Sequence, residues 1–279
     1  MQGKTVVITG GTSGIGQVAA EKLAALGARL VVVARDKARG EATLARLRKA
    51  GPAAHAIHYA DLSRLSEMKR VAAEIAAAEA RIDVLINNAG AMFSSRQITE
   101  DGLERTFALN HMSYFVVTHG LRERLTAAAP ARVINTSSHA HKGCSLDFKD
   151  LQAANNFQGF RTYGRSKLCN ILYTSELARR WSGSGVIAHS LHPGFVNTRF
   201  GDDSGGRLFR LAKKIVAISP DKGAETLVYL ASSDDPQVTG ANGLYFYKSA
   251  PSIPTPEARD ETSARKLWEE SERLAGLAW

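Results

Sequence analysis

The 279-residue chain lacks the features that mark several special classes of protein. It has only two cysteines, Cys144 and Cys169, which excludes a disulfide-stabilised scaffold and is typical of reduced thiols in a cytosol. No run approaches the roughly 20 apolar residues that cross a bilayer. A strand pattern begins at Lys4, which leaves no room for a signal peptide. We therefore expect a cytoplasmic protein without stable membrane insertion.

The sequence also lacks the patterns of nucleic-acid and metal sites. The net charge is +9, but Lys and Arg are scattered and form no basic tract interleaved with aromatic residues. This favours a basic solvated surface over a nucleic-acid site. His139 and His141 are close in sequence, yet no further ligand is spaced for a metal. We expect no metal site, and interpret both histidines as pocket lining or a solvated loop.

What is present begins with a strand, a glycine turn and a helix. Lys4 to Thr9 is a β-branched run, and an amphipathic stretch follows from Gln17 to Leu26. The glycines between them permit a tight turn, a close approach to a pyrophosphate and close packing of the helix, whose N-terminus attracts phosphates. We expect the turn to bind a dinucleotide through Gly10, Thr12, Ser13, Gly14, Ile15 and Gly16.

The second and third strands end in residues suited to the rest of such a cofactor. Arg35 follows the strand Arg29 to Ala34, and a guanidinium there suits a ribose 2′-phosphate. We therefore expect NADP(H), with NAD(H) as the alternative, and interpret Asp36 as a helix N-cap. Asp61, with Leu62 beside it, is placed to accept from an adenine amino group. Its alternative role is to cap the next helix, predicted over 63–80.

Strands and helices alternate along the chain, which predicts a single α/β domain over residues 1–279 with a Rossmann fold. We expect a doubly wound parallel sheet of about seven strands with helices on both faces. The stretch 101–129 is predicted to be two helices divided near Asn110, because Asn competes for backbone groups inside a helix. Residues 195–219 are interpreted as a substrate lid, with a basic membrane-surface helix as the alternative for the stretch after Gly206, and 251–279 as a C-terminal extension.

Three groups of residues suggest a reaction site. Asn88, Ala89 and Gly90 follow the fourth strand, where a ligand commonly lies against the backbone of an open α/β sheet. Ser138 follows the fifth strand. Tyr163 and Lys167 are four residues apart in a helical stretch and so share one face. A neighbouring ammonium is expected to lower the pKa of the phenol, which makes it a better acid–base group at neutral pH.

Together these motifs resemble the short-chain dehydrogenase/reductase family over essentially the whole chain. The resemblance is strongest to the branch with the retinol dehydrogenases, the WW-domain oxidoreductase and protochlorophyllide reductase. Tyr163-Gly-Arg-Ser-Lys167 and the tail from Pro256 carry this part of the likeness. Pro193 and Gly194, followed by Val196 and Thr198, match another family motif and are expected to contact the cofactor.

The resemblance implies a mechanism. Tyr163 would give a proton to a carbonyl oxygen during reduction and take it back during oxidation, while Ser138 polarises the carbonyl. Lys167 would lower the pKa of Tyr163 and bind the nicotinamide ribose, and Asn110 would hold a water of the proton relay. Family members commonly pair through the helices of Asn110 and Tyr163, which implies a homodimer or homotetramer.

The expected activity is NADP(H)-dependent interconversion of a carbonyl and an alcohol on a fairly apolar small molecule. Phe195, Phe200, Leu208 and Phe209 in the predicted lid suggest the apolar character. Two alternatives remain open at this stage: reduction of a carbon–carbon double bond, and a non-catalytic protein that senses NADP(H).

Overall fold

The computed structural model describes residues 1–194 and 219–277, which build one mixed sheet with helices on both sides. The strand order is β3-β2-β1-β4-β5-β6-β7-β8, and all neighbours are parallel except the last pair. The strands are β1 Thr5–Thr9, β2 Arg29–Ala34, β3 Ala56–Tyr59, β4 Val84–Asn87, β5 Ala131–Thr136, β6 Val186–His192, β7 Tyr245–Tyr247 and β8 Ala250–Pro251.

The helices fill most of the connections between strands. They are α1 Gly14–Ala25, α2 Lys37–Ala50, α3 Leu65–Ala78, α4 Arg105–Phe107, α5 Ser113–Gly120, α6 Arg122–Ala127, α7 Gly159–Arg180, α8 Pro220–Ser232, α9 Pro236–Thr239 and α10 Glu261–Ala275. A π-helical turn, Ala108–Met112, joins α4 to α5, and short 3-10 turns occur at His139–His141 and Pro256–Arg259. In the described ranges no helix is long and apolar enough to span a membrane.

The sheet confirms the predicted doubly wound α/β fold. The chain builds β1, β2 and β3 outward in one direction, then returns to place β4 on the other side of β1. The carboxyl ends of β1 and β4 therefore flank the point where the winding reverses, which is where ligands bind in open α/β sheets. The sheet has one strand more than expected, because β8 adds a two-residue antiparallel edge.

Two local predictions are wrong. Asp61 does not cap the following helix, which begins at Leu65 with Arg64 as its N-cap. Instead, the Asp61 carboxylate accepts from the Ser63 amide at 3.0 Å and from its hydroxyl at 2.8 Å, because the chain first makes a turn. Helical structure after residue 101 begins only at Arg105, since Gly102 and its neighbours form a turn.

The two faces of the sheet carry separate apolar cores. Successive side chains of β1 point to opposite faces of the sheet. Val7 packs in the core under α3, α5, α7 and α10, whereas Val6 and Ile8 pack in the core under α1 and α8. All three are fully buried. This is the burial pattern of a parallel strand covered on both faces, and it explains why the strand sequences are almost continuously apolar.

The C-terminal helix α10 docks on α5 and α7 through an aromatic cluster. The Trp268 ring stacks on Tyr173 with centroids 5.8 Å apart and meets Phe115 edge-on at 5.2 Å. One turn further along α10, the Ser271 hydroxyl lies 2.9 Å from Nε2 of His111. Asp260 is the N-cap residue, and its carboxylate accepts from the amides of Thr262 and Ser263, which fixes the start of the helix.

This docking bears on the predicted pairing of subunits. The expected interface uses the helices that carry Asn110 and Tyr163, but α10 of the same chain covers a large part of that surface. Leu267 and Trp268 are only 1% and 4% exposed there. Pairing through this surface would require α10 to leave it. The homodimer or homotetramer stays a prediction.

We predict that Trp268→Ala lowers the free energy of unfolding by about 3–5 kcal/mol, because it empties a large buried site between three helices. Urea unfolding followed by circular dichroism measures this. Phe160→Ala is the control, since that ring is 67% exposed, and it should change stability by less than about 0.5 kcal/mol. Equal effects of the two substitutions would contradict the docking of α10.

Candidate active site

The carboxyl ends of β1 and β4 are tied together by polar contacts. The Thr9 hydroxyl accepts from the amides of Asn88 and Ala89 at 3.0 and 3.1 Å. The side-chain amide of Asn88 donates in return to the carbonyl oxygens of Thr9 and Gly10 at 3.3 and 3.2 Å. Two predicted cofactor-binding segments, the glycine turn and Asn88-Ala89-Gly90, therefore form one surface.

Gly16 allows helix α1 to approach this surface. A Cβ atom at Gly16 would lie 2.4 Å from both Nδ2 of Asn88 and the carbonyl oxygen of Gly10. These distances are far inside van der Waals contact, so any side chain would push the helix away from the strand ends. The predicted role of Gly16 in close helix packing is what the geometry requires.

The first turn of α1 points its backbone donors at the same surface. Ser13 is the N-cap residue, yet its side chain makes no capping hydrogen bond. The N-terminal amides of a helix need partners, and an anion is a suitable one. Thr12, Gly14 and Ile15 are half-buried around this turn and Ser13 is exposed. The turn therefore fits the phosphates of a dinucleotide.

The ends of β2 and β3 continue this edge of the sheet. Arg35 directly follows β2 and is exposed. Asp36 caps α2, because its carboxylate accepts from the Arg39 amide at 2.8 Å, which confirms the N-cap prediction. Asp61 follows β3 and is half-buried, and Leu62 beside it is 5% exposed. Both lie near the end of the strand where a base was predicted to bind.

A chain of buried hydrogen bonds holds α7 over the middle of the sheet. The Asn87 amide donates to Thr118 of α5 and to Asn135 of β5, both at 2.9 Å. The Asn135 amide donates onward to Thr174 of α7 at 3.0 Å. The Ser137 hydroxyl adds a contact of 2.7 Å to the carbonyl oxygen of Lys167. This set of contacts, which we call the polar ladder, determines the register of α7 on the sheet.

The polar ladder brings the predicted reaction residues together. Tyr163 and Lys167 lie on the sheet-facing side of α7 and are 9% and 3% exposed. The Nζ atom of Lys167 donates to the carbonyl oxygen of Thr136 at 3.1 Å and lies 5.6 Å from the ring centroid of Tyr163. Ser138 lies close enough to the phenol of Tyr163 to act on its pKa.

Asn110 is also at this site, but its side chain is occupied. It lies in the π-helical turn, which is the irregularity predicted near this residue. Its amide donates to the carbonyl oxygen of Ala91 and the hydroxyl of Ser166, and its Oδ1 accepts from the Ala91 amide, all at 2.9 Å. Ser166 in turn donates to the carbonyl oxygen of Tyr163 at 2.7 Å. The side chain thus braces the turn that carries Tyr163, and its role in a proton relay stays a prediction.

Gly90 completes the contact between the two halves of the site. A Cβ atom at this position would lie 3.1 Å from Oδ1 of Asn110 and 3.3 Å from Nζ of Lys167. The cofactor-binding segment after β4 therefore lies directly against two predicted catalytic residues.

Sequence comparison agrees with this geometry. The pattern of the short chain dehydrogenase family matches residues 4–206. The chain belongs to the short-chain dehydrogenase family. Among curated proteins, it is 39% identical to retinol dehydrogenase 14 of Mus musculus, over 99% of this chain and 87% of that protein. It is 38% identical to retinol dehydrogenase 13 of Homo sapiens, over 99% and 85% of the two chains.

Solved structures of short-chain dehydrogenases share the fold. An uncharacterized protein from Mycobacterium paratuberculosis has a TM-score of 0.80 and 32% identity, covering 99% of this chain and 94% of that one. The active-site complex of Pseudomonas aeruginosa RhlG with NADP has a TM-score of 0.72 and 27% identity, covering 88% and 94%. The predicted family and its retinol dehydrogenase-like branch are confirmed, as is an oxidoreductase that acts on alcohol and carbonyl groups.

The electrostatics of this short-chain dehydrogenase correct one expectation. Burial lowers the pKa of Lys167 to about 7, and no carboxylate of the described residues pairs with its ammonium. Burial also raises the pKa of Tyr163, although the nearby Ser138 hydroxyl acts in the opposite direction. Lys167 was expected to lower the pKa of Tyr163. In the chain without cofactor, burial has the larger effect and raises this pKa, because both groups lie in a poorly solvated interior.

A stack of three rings near Ser138 was missed by sequence reasoning. His139 and His192 stack with centroids 3.9 Å apart, and Tyr247 stacks on His192 at 5.2 Å. These residues lie at or just past the ends of β5, β6 and β7. Their distance in sequence hides the cluster, and only the parallel sheet brings the three strand ends together.

The remaining predictions near the site have mixed outcomes. His141 is not in a solvated loop: it is fully buried, and its Nδ1 lies 2.6 Å from the carbonyl oxygen of Ser138. Cys169 is buried on α7, with its pKa raised to about 12, as expected of a packing residue. Pro193 and Gly194 follow β6 and are half-buried.

The next predicted residues, Val196 and Thr198, lie outside the described residues. The same holds for the predicted lid, apart from Ser219, which caps α8.

We predict that Lys167→Met stabilises the protein by about 1–4 kcal/mol at pH 7, because it removes a buried cation that no carboxylate compensates. The folded-state pKa of Lys167 is about 7, below its ordinary value of 10.5. The unfolded chain therefore binds more protons between these values, and the stability of the unsubstituted protein rises with pH across that window. The gain from Lys167→Met should shrink accordingly.

Urea unfolding at pH 7, 8 and 9 measures both effects. Lys49→Met is the control, because Lys49 is exposed on α2 and its loss should leave stability and its pH dependence nearly unchanged. A gain for Lys167→Met that is constant with pH would show that the folded protein does not disfavour the ammonium.

Proposed function

We propose that this short-chain dehydrogenase uses NADP(H) to interconvert an aldehyde or ketone and its alcohol, with Tyr163 as the acid and base. The carrying observation is the convergence of Ser138, Tyr163 and Lys167 beside the surface formed by the glycine turn and Gly90. When bound, a nicotinamide cofactor supplies or accepts the hydride. The residues of this chain have to hold the substrate oxygen and move one proton.

Proton transfer is assigned to the Tyr163 hydroxyl. Because burial raises its pKa, the phenol stays protonated at neutral pH, and that is the form that gives a proton to a carbonyl oxygen. Ser138 lies near the same phenol, so a carbonyl oxygen that accepts from both hydroxyls would be polarised and oriented at once. The Lys167 ammonium lies behind the phenol ring and favours the negative charge that develops on the oxygen.

Binding of the dinucleotide is assigned to the surface around the ends of β1, β2 and β4. The uncapped first turn of α1 and Gly10 to Gly16 would hold the phosphates, and Gly90 leaves room against Lys167 for the nicotinamide end. Exposed Arg35 would pair with a 2′-phosphate, which supports NADP(H) over NAD(H). Asp61 and Leu62 would contact the base. Val196 and Thr198 remain proposed cofactor contacts.

The substrate is proposed to be a fairly apolar small molecule. Phe160 lies one turn before Tyr163 on α7 and is 67% exposed, so it would offer an apolar ring to such a substrate. The curated relatives are named for retinol, an apolar alcohol. We further propose a cytoplasmic protein that forms a homodimer or homotetramer.

We predict that Tyr163→Phe lowers kcat by about 10²–10⁴-fold, because it removes the proton donor and leaves the ring in place. The measurement is NADPH oxidation against a panel of aldehydes, ketones and quinones that includes retinal. Tyr173→Phe is the matched control, since it makes the same change on the same helix, in the cluster under α10. Unchanged turnover in Tyr163→Phe would remove Tyr163 from the acid–base role.

We predict that Arg35→Asp weakens NADPH binding by about 10–100-fold, since it replaces a charge-assisted hydrogen bond with repulsion of the 2′-phosphate. NADH binding should be unchanged or tighter. Fluorescence titration of the purified protein with each cofactor measures both dissociation constants. Arg48→Asp is the control, because that residue is exposed at the far end of α2. Equal losses for NADPH and NADH would disprove the cofactor preference.

A further inference from the structure

The Lys167 ammonium is buried without a counter-ion in the described part of the chain. Its side chain is 3% exposed, and burial is the one cause that shifts its pKa. A buried charge needs compensation from its surroundings, or it loses its proton. The groups that face Nζ therefore decide how much of Lys167 is charged at neutral pH.

Those groups come from five elements. Strand β5 contributes the carbonyl oxygen of Thr136 at 3.1 Å. The segment after β4 contributes the backbone at Gly90, and the π-helical turn contributes Asn110 beside it. Two aromatic rings complete the surroundings: Tyr163 of α7 and Tyr114 of α5, with centroids 5.6 and 5.5 Å from Nζ.

The two rings have different duties. An ammonium within about 6 Å of a ring centroid is attracted by the negative face of the π system, and the attraction grows when both are desolvated. Tyr163 is the proposed acid, so its oxygen changes charge during the reaction. Tyr114 is fully buried, and burial raises its pKa well above the ordinary value, so its ring remains neutral.

We propose that Tyr114 is a positioning residue whose ring face holds the ammonium of Lys167 in place and keeps it charged. Nζ of Lys167 thus lies over two aromatic rings, and the Tyr114 ring acts as a neutral substitute for the missing carboxylate. A carboxylate would neutralise the ammonium and cancel its effect on Tyr163, whereas a ring stabilises the cation and leaves its charge intact. The consequence for catalysis rests on the proposed function, but the contact itself does not.

The test is the titration of Lys167 in the cofactor-free full chain, followed by NMR of ¹³C-labelled lysine side chains and assigned with Lys167→Met. Tyr114→Phe keeps the ring and should move the midpoint by less than about 0.3 pH units. Replacing Tyr114 with phenylalanines that carry increasing numbers of fluorine atoms weakens the negative ring face while nearly keeping its volume. The midpoint should fall in steps, by about one pH unit for the fully fluorinated ring.

A midpoint that stays constant along the fluorinated series would overturn the proposal. If Tyr114 only fills space, the midpoint should stay constant, because every ring of the series has nearly the same shape. The fluorinated rings also avoid the unfolding that Tyr114→Leu could cause. The readout needs neither cofactor nor substrate, so it stands apart from the turnover assay. If the midpoint does not respond to fluorination but turnover still depends on Tyr163, only this inference is rejected. If the midpoint falls as expected but turnover does not depend on Tyr163, only the assignment of Tyr163 is rejected.

Discussion

The position of α7 is the constraint on which the rest of the site depends. The polar ladder links this helix to β4, β5 and α5 through short side chains that allow one register. At the N-terminal end, Gly164 lies so close to the 3-10 turn after Ser138 that a Cβ atom would be 2.3 Å from the carbonyl oxygen of Ala140. A buried polar network of this kind is stabilising only when its members are paired, so it favours a single arrangement of the helix.

That arrangement has an electrostatic cost. It carries Tyr163 and Lys167 into a region where burial shifts both pKa values toward the neutral forms. The surroundings offer Lys167 a carbonyl oxygen and aromatic faces, which stabilise an ammonium less than a carboxylate would. The apolar cores and the docked α10 supply the stability that this site does not.

Much of the fold follows from sequence pattern, because burial on both faces leaves a distinct signal. The predicted strand Arg29 to Ala34 agrees with β2 residue for residue, and helix α2 begins after its predicted cap Asp36. The strand-end residues Asn88 and Ser138 were also predictable, since the carboxyl ends of parallel strands share one edge. Prediction failed where a competing local contact decided the outcome, as when Asp61 bonded to Ser63 and delayed the helix.

Other features could not be read from one sequence because they depend on which surfaces meet. In the sequence, Tyr114 looks like an ordinary core aromatic residue, and only the crossing of α5 and α7 places it against Lys167.

The one sign of the π-helical turn in the sequence is Asn110, a residue that is unfavourable inside a helix. Its reason lies in three dimensions: the amide has to reach Ala91 on one side and Ser166 on the other. Such turns are uncommon and concentrate at functional sites, since a regular helix is more stable unless a contact requires the departure. Here the contact braces the helical turn of Tyr163 against the segment that ends in the cofactor-binding surface, so a local irregularity couples the two halves of the site.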